Sequence, residues 1–312
     1  MNIRFYTIDP NPPRWIAALQ QQLPAAHITL HPDSPGVQAD YAVCWKPPAD
    51  FFDGQHNIKA VFNIAAGVET ILAHPAMQAG YLREVPIVRL GDAGMAAQME
   101  EYVLAAALRW QRKLDAYAAQ QRAGEWKMLA PKKRDHVSVG VLGLGVLGTH
   151  VAQSMHRFGI SAAGWSRNAN HIDGVDCYAG GGGLAEMLAR TNLLVCLLPL
   201  TDSTLGILNR TTLAQLPQGA HLINIGRGAH LVEADLIALL DEGHLGGATL
   251  DVFAEEPLPL SNPLWKHPNV HITPHVSAST IRDESMAQIA AKIHAFERGE
   301  TLGDVVDRST GY

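Results

Sequence analysis

An apolar run, Val137 to Leu142, leads directly into the segment Gly143-Leu144-Gly145-Val146-Leu147-Gly148, and that segment opens an amphipathic stretch reaching Phe158. A strand, a tight turn and a helix in that order leave a chain few folds. The first glycine permits the turn, the second lets a ligand approach the backbone, and the third lets helix and strand pack closely. Free N–H groups and the positive dipole end at such a helix start suit a phosphate. More strand candidates follow at Ser161–Trp165, Leu193–Leu198, His221–Ile225, Ala248–Val252 and Val270–Thr273, with helices expected over Leu184–Arg190 and Glu233–Glu242. Gly180 to Gly183 reads as a flexible turn ahead of the first of these.

Strands alternating with helices at this spacing predict a doubly wound parallel sheet of the Rossmann kind. The first ninety residues form a second α/β pattern without a phosphate loop. Its strands are expected at Ile3–Ile8, Ile28–Leu30, Tyr41–Trp45 and Ala60–Ile64, with a helix over Trp15–Leu23 behind Pro12-Pro13. Gly91 to Gly94 then punctuates the chain, and Ala96–Gln121 reads as one long helix. A length of 312 residues argues for two cores. The expectation is a discontinuous, flavodoxin-like α/β domain made of residues 1–92 and 281–312, and a dinucleotide-binding domain over 93–280 that includes the long helix. The final helix, Arg282–Arg298, would return to the first domain, placing a hinge at the two crossings and the cofactor in the cleft between the domains.

A net charge of −6 and a pI near 6.2 argue against nucleic acid or an acidic membrane surface as partner. The one basic cluster, Lys132-Lys133-Arg134, reads as a solvated loop. Cys44, Cys177 and Cys196 are scattered without a C-x-x-C, which fits a reducing compartment and a cytoplasmic protein. No apolar run approaches the ~18 residues of a membrane span.

Three residues then fall at successive turns after strand candidates: Arg227 in Asn224–Gly228, Glu256 in Asp251–Pro257 and His275 in Ile272–Val276. Downstream of a dinucleotide loop, a fixed cation, an acid and an imidazole are what reduction of an α-keto acid needs. The cation holds the carboxylate, the imidazolium gives a proton to the keto oxygen, and the acid favours the charged imidazole. Taken singly, Arg227 is a surface arginine in a glycine turn and Glu255-Glu256-Pro257 a solvated acidic loop; order and spacing argue for the triad. His267, His271 and His275 recur every four residues, as metal ligands do on a helix, but Pro268 and Pro274 forbid one. Four strand residues span ~13 Å, too wide for one zinc, so no metal is expected and His271 is read as structural. An NAD site carries an acid about 20 residues beyond its glycine loop. Here Ser166 stands at that position, followed by Arg167, which can pair with a 2′-phosphate. NADPH is therefore the expected cofactor, with NADH weaker.

Over nearly its whole length the chain resembles the D-isomer-specific 2-hydroxyacid dehydrogenase family. The resemblance is carried by Gly143–Gly148, Leu198–Thr201, Ile223–Gly228, Leu250–Phe253, Glu256–Pro259 and Thr273–His275. It implies a substrate-binding and catalytic arginine at Arg227, an acid/base histidine at His275 and its partner at Glu256. It also implies a cofactor site at Gly143, Gly145, Val146, Leu147, Gly148, Ser166, Arg167, Pro199, Thr201 and Asp251. Asn63–Glu69 matches the family's substrate-carboxylate loop, with Ala65 where glycine is common and Glu69 where aspartate is; backbone N–H groups near Ala66, Gly67 and Val68 would hold the carboxylate. Trp45-Lys46, Ser166-Arg167 and the length are most similar to the bacterial glyoxylate/hydroxypyruvate reductase branch, in which Trp45 would wall a small pocket; a core tryptophan at a strand end is the other reading. The implied activity is NADPH-dependent reduction of glyoxylate and hydroxypyruvate. A larger keto acid such as 2-ketogluconate is the alternative substrate, and a dinucleotide-sensing co-repressor the alternative class. The region of the long helix, with Trp126 and Met128, makes a two-fold dimer in the family; a helix packed within its own chain is the simpler reading.

Overall fold

The computed structural model describes residues 1–33 and 36–312. The chain forms two compact units, one made of Met1–Met95 with Thr280–Tyr312 and the other of Ala96–Ser279.

The first unit is built on strands β1 (Asn2–Thr7), β2 (His27–Leu30), β3 (Tyr41–Trp45), β4 (Ala60–Asn63) and β5 (Ile87–Val88). They form a parallel sheet in the order β2-β1-β3-β4-β5, the flavodoxin-like arrangement. Its central strands are buried on both faces, as the unbroken apolar runs Tyr41–Cys44 and Ala60–Phe62 require. The helix Pro12–Gln22 starts on its two prolines and packs against the closing helix Arg282–Glu297. Beyond that helix, Val306 donates its N–H to Ile87, and the Arg308 guanidinium donates to the carbonyls of Met77, Leu82 and Val85. The C-terminal segment is thereby tied to the first unit through backbone carbonyls.

The second unit carries β6 (Ser138–Leu142), β7 (Ser161–Ser166), β8 (Asp176–Ala179), β9 (Leu193–Cys196), β10 (Ala220–Asn224), β11 (Leu245–Leu250) and β12 (Val270–Ile272). Their order is β12-β11-β10-β9-β6-β7-β8, all parallel, which is a Rossmann sheet with one added strand. The order reverses between β6 and β9. In an open α/β sheet, the crevice beyond the carboxyl ends of the strands at that point is where ligands bind.

Four expectations are corrected. The long helix over Ala96–Gln121 is two helices, Met95–Gln111 and Leu114–Ala123, separated by Lys113 in the left-handed region at a φ of 55°. No glycine or proline marks the break. Polar contacts across it hold the new direction: Arg109 pairs with Asp115 at 2.6 Å, and Asp115 pairs with His271 at 2.9 Å. Gly180–Gly183 is no loose turn but the first turn of the helix Gly180–Leu188. Lys132 and Arg134 are not simply solvated: Lys132 Nζ lies 3.8 Å from the centre of the Trp110 ring, and Arg134 stacks on Phe158 at 4.5 Å. Short β5 and β8 were not anticipated, being two and four residues long, with β8 running straight into the helix that begins at Gly180.

Candidate active site

The turn after β6 follows from its glycines. Gly143 has a φ of 99°, closed to most side chains, and a Cβ there would lie 2.8 Å from the Leu197 carbonyl oxygen. At Gly148 a Cβ would overlap the Gly143 carbonyl, so this glycine is what lets the helix Val146–Arg157 sit against the strand. Gly145 is different: it is exposed, and nothing lies within 4 Å of where its Cβ would be. The helix start has no side-chain cap, so its leading N–H groups, at exposed Val146 and half-buried Leu147, face outward for an anion. Gly143 and Gly148 thus shape the turn, while Gly145, Val146 and Leu147 present it.

Ser166 ends β7 half-buried, its hydroxyl donating to the Asn168 carbonyl at 2.7 Å, and Arg167 beside it is exposed. Asn170 reaches back from the same loop to the Leu144 carbonyl at 3.3 Å, which joins this loop to the glycine turn. No acid stands at the end of β7. After β9, Thr204 braces the next loop by donating to the Pro199 carbonyl at 2.7 Å and accepting the Thr201 N–H at 2.9 Å.

Arg227, Glu256 and His275 follow β10, β11 and β12, three neighbouring strands. The Arg227 turn is fixed from its backbone: Asn224, fully buried, donates to the Arg227 carbonyl at 3.1 Å, and Arg227 N–H donates to His230 Nδ1 at 3.2 Å. His230 is also fully buried. With Nδ1 accepting, its proton belongs on Nε2, which donates to the Pro199 carbonyl at 3.2 Å. One neutral imidazole therefore joins the arginine turn to the loop after β9. Gly228 is needed because a Cβ there would overlap the backbone of Phe253 and Ala254. That close approach sets the arginine turn against the loop that carries Glu256.

Glu256 bends back so that Oε1 accepts the Phe253 N–H at 3.0 Å while Oε2 meets His275 Nδ1 at 2.8 Å. The other imidazole nitrogen, Nε2, has no partner among the described residues, and the side chain is 48% exposed. An imidazole held by one nitrogen and open at the other is arranged for proton transfer.

Asp251 stands apart from the expected cofactor contacts. It is fully buried, and its carboxylate is committed to the turn of His275: Oδ1 accepts Thr273 Oγ1 at 2.6 Å and Val276 N at 2.8 Å, and Oδ2 accepts Ser277 N at 2.8 Å. It braces the turn from inside the fold and has no exposed surface to offer a dinucleotide. Among the described residues no His, Cys, Asp and Glu group could hold a metal, and His271 is engaged with Asp115.

In the first unit, Trp45 closes β3 half-buried, with Lys46 Nζ 5.8 Å from the centre of its ring. The loop after β4 is shaped by Asn63, whose amide donates to the carbonyls of Ala65 and Gly67 at 3.0 and 2.7 Å. Those bonds take up carbonyls. The N–H groups of Ala66, Gly67 and Val68 have no partner among the described residues. Both features lie at carboxyl ends of parallel strands, and β3 flanks the point where this sheet's order reverses.

Residues 104–277 match the family model for the D-isomer specific 2-hydroxyacid dehydrogenase NAD binding domain, and the chain belongs to this family. It is 46% identical to the glyoxylate/hydroxypyruvate reductase A of Serratia proteamaculans and 44% identical to that of Yersinia enterocolitica, each over the whole of both chains. Among solved structures, the D-isomer specific 2-hydroxyacid dehydrogenase of Xanthobacter autotrophicus in complex with NADPH matches with a TM-score of 0.93 at 38% identity, covering 100% of this chain and 99% of that one. The NADPH-dependent glyoxylate/hydroxypyruvate reductase of Sinorhizobium meliloti in complex with NADP matches with a TM-score of 0.92 at 37% identity over the same shares.

Proposed function

We propose that the chain is an NADPH-dependent reductase of small 2-keto acids, converting glyoxylate to glycolate and hydroxypyruvate to D-glycerate. The observation that carries this reading is the Glu256–His275 pair at 2.8 Å with its second imidazole nitrogen open, one strand away from the turn of Arg227. The glycine turn fits a dinucleotide: an open face at Gly145 and leading N–H groups at Val146 and Leu147 suit its pyrophosphate. Ser166 leaves room for a 2′-phosphate that an aspartate would repel, and Arg167 supplies a cation beside it. Pro199 and Thr201 line the ribose and nicotinamide side.

When bound, NADPH supplies the hydride that adds to C2 of the keto acid. Arg227 neutralises the substrate carboxylate and draws charge onto the keto oxygen. His275 gives that oxygen a proton from Nε2, while Glu256 holds Nδ1 and compensates the imidazolium. In the first unit, the N–H groups of Ala66, Gly67 and Val68 suit a carboxylate, and Trp45 suits an apolar wall. His275→Ala should lower kcat by ~10²–10⁴-fold with a much smaller change in KM. Arg227→Ala should raise KM and lower kcat together. Near-normal kcat in His275→Ala would falsify the assignment.

The partner beyond the substrate is a second copy of the chain. Helix Leu114–Ala123 has no buried residue, and the segment after it leaves Trp126 and Met128 almost fully exposed. Light scattering should give twice the 33.7 kDa chain mass, and Trp126→Ser with Met128→Ser should shift it toward one chain. A monomeric parent protein refutes the dimer. The compartment is the cytoplasm, as three free cysteines, two of them buried, suggest.

A further inference from the structure

His275 holds a φ of 57°, a left-handed conformation that is unfavourable for a side chain with a Cβ and persists only where its surroundings over-determine it. Beside the Thr273 carbonyl, which accepts the His275 N–H at 3.1 Å, and Glu256 at the ring, much of that hold comes from Asp251. Its carbonyl oxygen accepts the His275 N–H at 2.8 Å, and its carboxylate accepts the N–H groups of Val276 and Ser277, both at 2.8 Å. Residues 275, 276 and 277 thus hang from one buried aspartate.

Such a carboxylate holds the turn only while it keeps a single orientation. Two hydroxyls fix it. Thr273 has one proton, and at 2.6 Å from Asp251 Oδ1 that proton goes to the carboxylate. The Tyr102 hydroxyl, 2.6 Å from Thr273 Oγ1, must then be the donor in that bond. Tyr102 comes from helix Met95–Gln111, which packs into the same core as β6, β9 and β10, so the chain of hydrogen bonds runs from that helix through Thr273 and Asp251 to the turn of His275. Burial pushes the Tyr102 phenol up to about 12, so it stays a donor across the working pH range.

We propose that Tyr102 and Thr273 are positioning residues for the proton donor: acting through the Asp251 carboxylate, they hold the backbone of residues 275–277 so that the His275 ring stays against Glu256. This rests on the assignment of His275 above. Removing the Thr273 hydroxyl leaves a buried carboxylate short of a charge-assisted bond, a loss the site relieves by turning the carboxylate or admitting water. Either response moves the Val276 and Ser277 amides and carries the imidazole with them. Displacement by ~1 Å costs a reaction ~10²-fold.

The test is steady-state kinetics of Thr273→Val, Thr273→Ser and Tyr102→Phe, each alone and combined with His275→Gln, together with amide hydrogen exchange of the cofactor-free proteins. Thr273→Val should lower kcat by ~10–100-fold with KM for the keto acid nearly unchanged, and Thr273→Ser should recover most of it. Tyr102→Phe should fall between them. In the His275→Gln background neither substitution should lower the residual rate further, because both act through that ring. Exchange at Val276 and Ser277 should quicken in Thr273→Val. If that variant fails to fold, the nearly isosteric Tyr102→Phe carries the same cycle. Losses that multiply with His275→Gln overturn the proposal, as does a Thr273→Val or Tyr102→Phe enzyme with wild-type kcat and unchanged exchange. Near-normal kcat in His275→Gln alone overturns the assignment of His275 and this proposal with it; a loss there without one in Thr273→Val overturns the proposal only.

Discussion

Ser166 shows how much one side chain can decide. At the end of β7 an aspartate would accept from a ribose 2′-hydroxyl and repel a 2′-phosphate, whereas serine does neither strongly. Ser166→Asp should therefore move the ratio of kcat/KM for NADPH over NADH toward NADH by roughly tenfold or more, the size of a ~1.4 kcal/mol like-charge penalty. An unchanged ratio would mean that discrimination lies elsewhere. This residue, like Arg227, Glu256 and His275, is legible in the sequence because each follows a recognisable strand at a fixed offset. Asp251 is legible as an acid after a strand but not in what it does. Its burial depends on Thr273, Val276 and Ser277 folding over it, more than twenty residues away. Tyr102 carries no local signal at all, since its partner Thr273 is 171 residues distant. His230 is hidden for a similar reason: its role needs Pro199, 31 residues away, brought to its Nε2.

Elements show a similar division. Long apolar strands were legible, Tyr41–Trp45 to the residue, because buried parallel strands read as unbroken apolar runs. Edge strand β8, Asp176–Ala179, was not, since its residues are exposed or half-buried and its polarity resembles a loop. The break at Lys113 was missed because it is held by pairs such as Asp115 with His271, which no helical periodicity contains. Next to that break, His221 on β10 sits 4% exposed, its Nδ1 without a hydrogen-bond partner among the described residues and its Nε2 3.0 Å from Thr249 Oγ1. Burial, with a smaller electrostatic contribution from the neighbouring His271, lowers its pKa from 6.5 to about 3. Between those values the unfolded chain binds a proton the folded one refuses. Stability supplied by neutral His221 is therefore complete above pH 6.5 and drains away as pH falls toward 3, by at most about 5 kcal/mol. Urea unfolding from pH 7 to 4 should show a shallower loss for His221→Gln than for the parent. Parallel pH curves for the two would contradict this.

At the scale of the molecule, two parallel sheets of different strand order divide the chain's residues by task. The Rossmann unit, Ala96–Ser279, holds the glycine turn and all three candidate catalytic side chains. The other unit, with Trp45 and the Asn63–Glu69 loop, carries features suited to choosing a substrate. The two-unit fold was legible from β/α alternation and length; substrate choice was not, since neither Trp45 nor three backbone N–H groups specify the length of a keto acid. Cofactor and substrate are therefore best read together, from initial rates of NADPH and NADH oxidation with glyoxylate, hydroxypyruvate and 2-ketogluconate. Rapid NADPH turnover with the two small acids, and slower turnover with NADH, is the predicted result. Turnover confined to 2-ketogluconate would contradict the small pocket, and no turnover with any of the three would contradict the reductase itself.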